Sequence, residues 1–123
     1  MKRLIVLSAL SLAYCSVAFA SPSKCILPVA DGGGREPSPA STSGIIASVD
    51  KNHITFIGRE DIKIQFNEKT AIFTVYGGYV ESHELKIGLH TFVWFVGCKP
   101  VSGKKVLAAI IQVCATEPVP CLK

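Results

Sequence analysis

The stretch LKIGLHTFVWFVGC, Leu85–Cys98, restricts the fold more than any other part of the chain. From His90 onward its β-branched and aromatic residues suit a pleated strand, and the run is bounded by Gly88 on one side and by Gly97 and Cys98 on the other. Side chains on a strand alternate between its two faces. His90, Phe92, Trp94 and Val96 therefore share one face, while Thr91, Val93, Phe95 and Gly97 share the other. Both faces are largely apolar, so neither is expected to lie open to water. Just upstream, Leu85 and Ile87 are placed to plug a barrel end, and Gly88 supplies the positive φ that a sharp turn into the strand requires.

The same period governs the rest of the chain from Gly44 to Val113. Ile45, Ala47 and Val49 alternate with Ile46, Ser48 and Asp50, and Asp50-Lys51-Asn52 then turns the chain into a second strand, His53 to Ile57. Gly58 to Asp61 makes the next turn, after which Ile62, Ile64 and Phe66 alternate with Lys63 and Gln65. Asn67-Glu68-Lys69 breaks the run, Ala71 to Tyr76 extends again, and Gly77-Gly78 ends it. Only Val80 to Lys86 reads as a helical turn. A last strand spans Lys105 to Val113, with Val106, Ala108 and Ile110 set against Leu107, Ala109, Ile111 and Val113.

Five or six short strands and one helical turn predict an all-β chain folded as a small closed or partly closed barrel, because closure removes exposed strand edges. The first three strands each carry one polar face, whereas the later ones carry apolar residues on both. Phe73, Val93, Phe95, Leu107 and Ile111 are accordingly the candidate binding or interface face. Its cover is the N-terminal arm, a second copy of the chain, or a different partner.

Outside the strands, MKRLIVLSALSLAYCSVAFA reads as a secretory signal peptide: a basic start, a short apolar core and a small-x-small site at Ala18-Phe19-Ala20. Cleavage after Ala20 takes 20 of 123 residues, leaving 103, and loss of Lys2 and Arg3 lowers the formal charge from +4 to +2. No membrane span is expected in the mature chain. So weak a positive charge gives no dense basic patch, and nucleic acid is not expected as a partner. Residues 21–43 form a Gly-, Pro- and Ser-rich stretch expected to be a flexible arm or linker, followed by the barrel domain over 44–114 and a tail over 115–123. Asp31-Gly32-Gly33-Gly34 has neither the lysine nor the strand-turn-helix setting of a phosphate loop.

With Cys15 removed, Cys25, Cys98, Cys114 and Cys121 remain, an even set that implies two disulfides in an exported chain, periplasmic or secreted. If the last two strands pair as a hairpin, Cys98 and Cys114 sit about eight residues, or roughly 25 Å, apart and cannot bond to each other. Cys25–Cys98 with Cys114–Cys121 is preferred over Cys25–Cys114 with Cys98–Cys121, since six intervening residues containing two prolines close easily.

The segments GIIASVDKNHITF, LKIGLHTFVWFVG and VLAAIIQV together resemble the small OB-like domains of unknown function found in exported bacterial proteins. Their shared pattern is roughly G-x-V-x-x-V-D-x-x-x-I-T-V, L-K-x-G-x-x-V-x-V-x-G and L-x-A-x-x-I. The match covers about Gly44 to Val113 and implies an OB-like barrel. Gly44, Asp50, Leu85, Gly88 and Gly97 match as turn or packing positions, so the resemblance carries no catalytic residue. The cysteines and the more apolar last strands depart from it.

Chemistry has little foothold in the sequence. His83-Glu84 begins an H-E-x-x-H motif but Ile87 stands where the second histidine belongs, and no G-x-S-x-G elbow occurs. His53, His83 and His90 fall on different elements, and Glu81 with Glu84 is a solvated pair on one helical face. No enzyme, cofactor or metal site is expected. The expected role is a non-enzymatic binding or accessory module of the bacterial envelope that recognises a protein or peptide. The alternatives are a self-assembling, lectin-like or structural OB-fold subunit, hence a possible homo-oligomer, and an inhibitor of a periplasmic enzyme.

Overall fold

The computed structural model describes residues 24–30, 36–100 and 103–121; the signal peptide expected over residues 1–20 lies outside them. Six strands form: β1 (Thr42–Val49), β2 (His53–Phe56), β3 (Arg59–Gln65), β4 (Ala71–Thr74), β5 (His90–Phe95) and β6 (Lys105–Val113). Among the described residues the only helical elements are two 3-10 turns, Ser82–Glu84 and Val96–Cys98. The first falls within the expected helical turn. It is closed by the Glu84 carboxylate, which accepts from the Glu81 amide at 2.8 Å, so that carboxylate serves as a local cap.

Five strands close a barrel. β1, β2 and β3 form an antiparallel meander, β6 pairs parallel with β3 and antiparallel with β5, and β5 returns antiparallel to β1. β4 is the outer strand. It runs parallel to β6 at Ile110–Val113, beyond the Lys105–Leu107 stretch that β3 occupies. The hydroxyl of Thr70 donates to the Ala108 carbonyl at 2.7 Å and fastens the break between β3 and β4 to β6.

Ile46, Ile54, Phe56, Ile64, Leu89, Val93, Phe95, Ala108, Ile111 and Val113 fill the interior, all at most 2% exposed. Removing a side chain of this size from water contributes about 1.5–3 kcal/mol. Phe56 packs against β1 where Gly44 lies, and a Cβ there would stand 2.9 Å from its ring. Arg59 sits over the Phe56 ring, 5.5 Å from its centroid, and donates to Thr42 Oγ1 and the Ser43 carbonyl. Leu85 plugs the barrel as expected. Ile87 does not: it is 64% exposed, and Leu89 takes the second plugging position. Gly88 has φ 95°, and a Cβ on it would lie 2.9 Å from Pro118, so both the turn and the closeness of the tail need glycine here.

Two β-bulges decide which residues face inward. Ile46 opposes Phe56 and Ser48 opposes Thr55, leaving Ala47 without a partner. The extra residue reverses the alternation, so Val49 joins Ile46 against the core instead of sharing a face with Ala47. In β6, Trp94 opposes Ile110 and Phe95 opposes Ala108, leaving Ala109 unpartnered. Ala108, Ile111 and Val113 thereby all point inward, and Ile110 points out. The expected grouping of Ile110 with Ala108, and of Leu107 with Ile111, is corrected on this ground.

The two disulfides are Cys25–Cys98 and Cys114–Cys121, with Cα atoms 5.4 and 4.8 Å apart. Both are the preferred pairs. Disulfides of this kind fit an oxidising compartment. Among the described residues no helix is long and apolar enough to cross a membrane.

Candidate functional site

The five residues of the candidate face separate into two environments. Val93, Phe95 and Ile111 are in the barrel interior, at most 1% exposed, and cannot meet a partner. Phe73 and Leu107 are on the exterior, Phe73 buried and Leu107 38% exposed. The sequence grouping failed at the Ala109 bulge, which moves Ile111 to the side opposite Leu107, and it assigned the outward role on β5 to the wrong alternating set. The outward set on β5 is Phe92 and Trp94.

Phe73, Trp94 and Ile110 form a second apolar cluster outside the barrel wall, and the N-terminal arm lies on it through Leu27, Ala30 and Ala40. The arm is tied to the barrel at several points. Trp94 Nε1 donates to the Ser38 carbonyl at 2.7 Å, the Phe95 amide donates to Ser41 Oγ at 3.0 Å, and the Ser41 amide donates to the Val93 carbonyl at 2.8 Å. Ser38 also joins the two described arm segments, its amide donating to Ile26 O and its Oγ accepting from the Ile26 amide. The stretch expected as a flexible arm is thus packed in both of its described parts.

What remains open on this side is an aromatic tip. Beyond β4 the chain turns at Gly77-Gly78 and returns, bridging Phe73 with Tyr79. The Thr74 amide donates to Gly78 O at 2.8 Å and the Val80 amide to Ile72 O at 2.9 Å. The Thr74 hydroxyl accepts from the amides of Tyr76 and Gly78, each at 3.2 Å, which stiffens the loop from inside. Tyr76 and Tyr79 project from this tip at 70% and 79% exposure. The Tyr79 ring meets Phe73 edge-on at 6.4 Å, so the tip borders the covered cluster. Sequence reasoning recorded Y-G-G-Y only as the end of a strand. Two aromatic residues flanking a glycine turn were the available signal.

Among the described residues, about 10 Å³ is left at the interior end lined by Phe56, Arg59 and Phe95, too little for a ligand. Outside the wall the described residues line two shallow grooves, one of about 450 Å³ between the Lys51-Asn52 turn and Phe66 to Glu68, the other of about 260 Å³ between His83 to Lys86 and Thr116-Glu117. The second brings together His83, Glu84, Lys86, Thr116 and Glu117, with Lys86 Nζ 3.5 Å from Glu117 Oε2. His53 is held by Asp50 at 2.9 Å, His83 lies in the exposed 3-10 turn, and His90 starts β5. Among the described residues no three His, Cys, Asp or Glu side chains are placed to hold a metal ion. Comparison with protein-family models, curated proteins and solved structures finds no match to this chain.

Proposed function

We propose that this chain is a non-enzymatic binding module of the bacterial envelope, exported by its N-terminal signal, which contacts a protein or peptide partner through the Tyr76–Tyr79 tip. The observation that carries the reading is a pair of tyrosines exposed to 70% and 79% on a loop held by backbone and Thr74 hydrogen bonds. Tyrosine is favoured in recognition surfaces because it offers a large amphipathic area and loses little conformational freedom on binding. Holding two of them rigidly in water leaves apolar area that a partner would cover. The strand order supports an OB-like barrel, in which a three-stranded meander is closed by a parallel pairing with the last strand. The apolar wall that favoured a self-assembling subunit is occupied by the chain's own arm, and this supports a single-chain module.

The test is site-specific photo-crosslinking. A benzophenone side chain placed at position 76 or 79 is expected to trap a discrete envelope protein, while the same group at position 63, on the polar outer face of β3, traps none. Tyr76→Ala with Tyr79→Ala should abolish binding of the purified partner with the circular dichroism spectrum unchanged. Equal trapping at all three positions rejects the tip as the site. Binding of oligosaccharides that is lost in the same double variant replaces the protein partner with the lectin-like alternative.

A further inference from the structure

We infer that the arm is a redox-released strap, with Cys25–Cys98 as its clasp and the Phe73–Trp94–Ile110 face as the surface it closes. Three observations converge on this. The clasp is a covalent cross-link between the described arm and the barrel, joining Cys25 to the 3-10 turn that follows β5. Both of its cysteines are partly exposed, whereas the other bridge has one partly exposed cysteine, Cys121, and one buried, Cys114 at 2%. Thiolate attack on a disulfide requires access to sulfur, so the clasp is open to attack at either cysteine and the other bridge at Cys121 alone. The third observation is what else holds the strap among the described residues: Leu27, Ala30 and Ala40 supply the apolar contacts, and Ser38 and Ser41 the hydrogen bonds to β5. Once this cross-link is open, ordering residues 24–30 and 36–41 against these contacts is opposed by their conformational entropy.

Cys98 adds a local reason for release. It has φ 56°, in the left-handed region that L-residues other than asparagine and aspartate seldom occupy, directly after Gly97 at φ 73°. Opening the bridge lets this turn relax. The step is an exchange with a dithiol: one thiolate attacks a sulfur of the clasp and expels the other cysteine as thiolate. The second thiol of the reductant then resolves the mixed disulfide. Two electrons and two protons pass to Cys25 and Cys98, and the reductant leaves as its own disulfide. Release uncovers Phe73, Phe92, Trp94 and Ile110 beside Tyr79. That this enlarges a partner surface rests on the proposed binding role; the release itself does not.

Trp94 reports on the strap directly, since it is the one tryptophan in the sequence and donates to Ser38 beneath the arm. The chain beginning at Ser21 is treated with graded dithiothreitol, and thiols are mapped by mass spectrometry while emission and far-ultraviolet circular dichroism are followed. Cys25 and Cys98 are expected to become free before Cys114 and Cys121, with a rate advantage on the order of tenfold. Trp94 emission should move to the red in step with them, with the strand signal retained and the blue emission restored on reoxidation. Cys25→Ser with Cys98→Ser should show the red-shifted emission without any reductant. Unchanged emission once Cys25 and Cys98 are free overturns the proposal, as does earlier opening of Cys114–Cys121 or loss of the strand signal together with the emission change. These readouts do not involve Tyr76 or Tyr79, so failure of the tip as a binding site would leave them unaffected.

Discussion

The two sides of the barrel are made of similar strands finished in opposite ways. On the side of β2 and β3, Lys63 and Gln65 point outward and Ile54 and Ile64 point inward, so the wall is complete once its inner face is buried. On the side of β4, β5 and β6 the outward residues are Phe73, Phe92, Trp94 and Ile110, and the wall is complete only with the arm across it. The difference teaches that an apolar pattern on both faces of a strand marks a second layer. Here that layer is a coil segment of the same chain, anchored by a disulfide and by carbonyl and hydroxyl groups of serine.

The largest effect is expected in the shared interior. Phe95→Glu places a carboxylate at a position 1% exposed, and its desolvation exceeds the stability a domain of this size holds. Loss of the cooperative thermal transition is the expected outcome. A folded, monomeric Phe95→Glu protein would mean that Phe95 faces outward and the two sides have been assigned wrongly. On the covered side, Trp94→Phe removes the donor to Ser38 and part of a large ring, and a loss of about 2 kcal/mol is expected in urea unfolding. Smaller again is the contrast at the β1 bulge: Val49→Ser should cost about 1–2 kcal/mol, and Ala47→Ser under about 0.5 kcal/mol, because only Val49 packs on the core. Equal costs would remove the bulge. On the polar side, Lys63→Ala should fall within about 0.5 kcal/mol of the parent.

This contrast also marks what the sequence made legible. Turn residues and period-two apolarity located all six strands and the single 3-10 turn before β5, since those signals are local. Chain geometry ruled out Cys98–Cys114, and the closeness of Cys114 to Cys121 favoured the pairs that form. Facing was lost at Ala47 and Ala109, because a bulge inserts one residue whose only trace is a small side chain and every later residue then changes sides. The arm reads as a flexible segment and as only one of three possible covers, because Leu27, Ala30 and Ala40 are scattered among Gly, Pro and Ser with no period. Their burial depends on a surface built some fifty residues later. Tyr76 and Tyr79 were visible as residues, but their exposure depends on how the return strand packs, which no local pattern specifies.

The central claim, that the apolar outer face is covered by the arm of the same chain, is tested most directly by nuclear Overhauser contacts in the oxidised chain beginning at Ser21. Contacts are expected from the methyl groups of Leu27, Ala30 and Ala40 to the ring protons of Phe73 and Trp94 and to Ile110, in a particle that sediments as a monomer. In a mixture of isotopically labelled and unlabelled chains, the filtered experiment that selects contacts between molecules should be blank at these positions. Absence of the contacts, or their appearance only between molecules, would contradict the account.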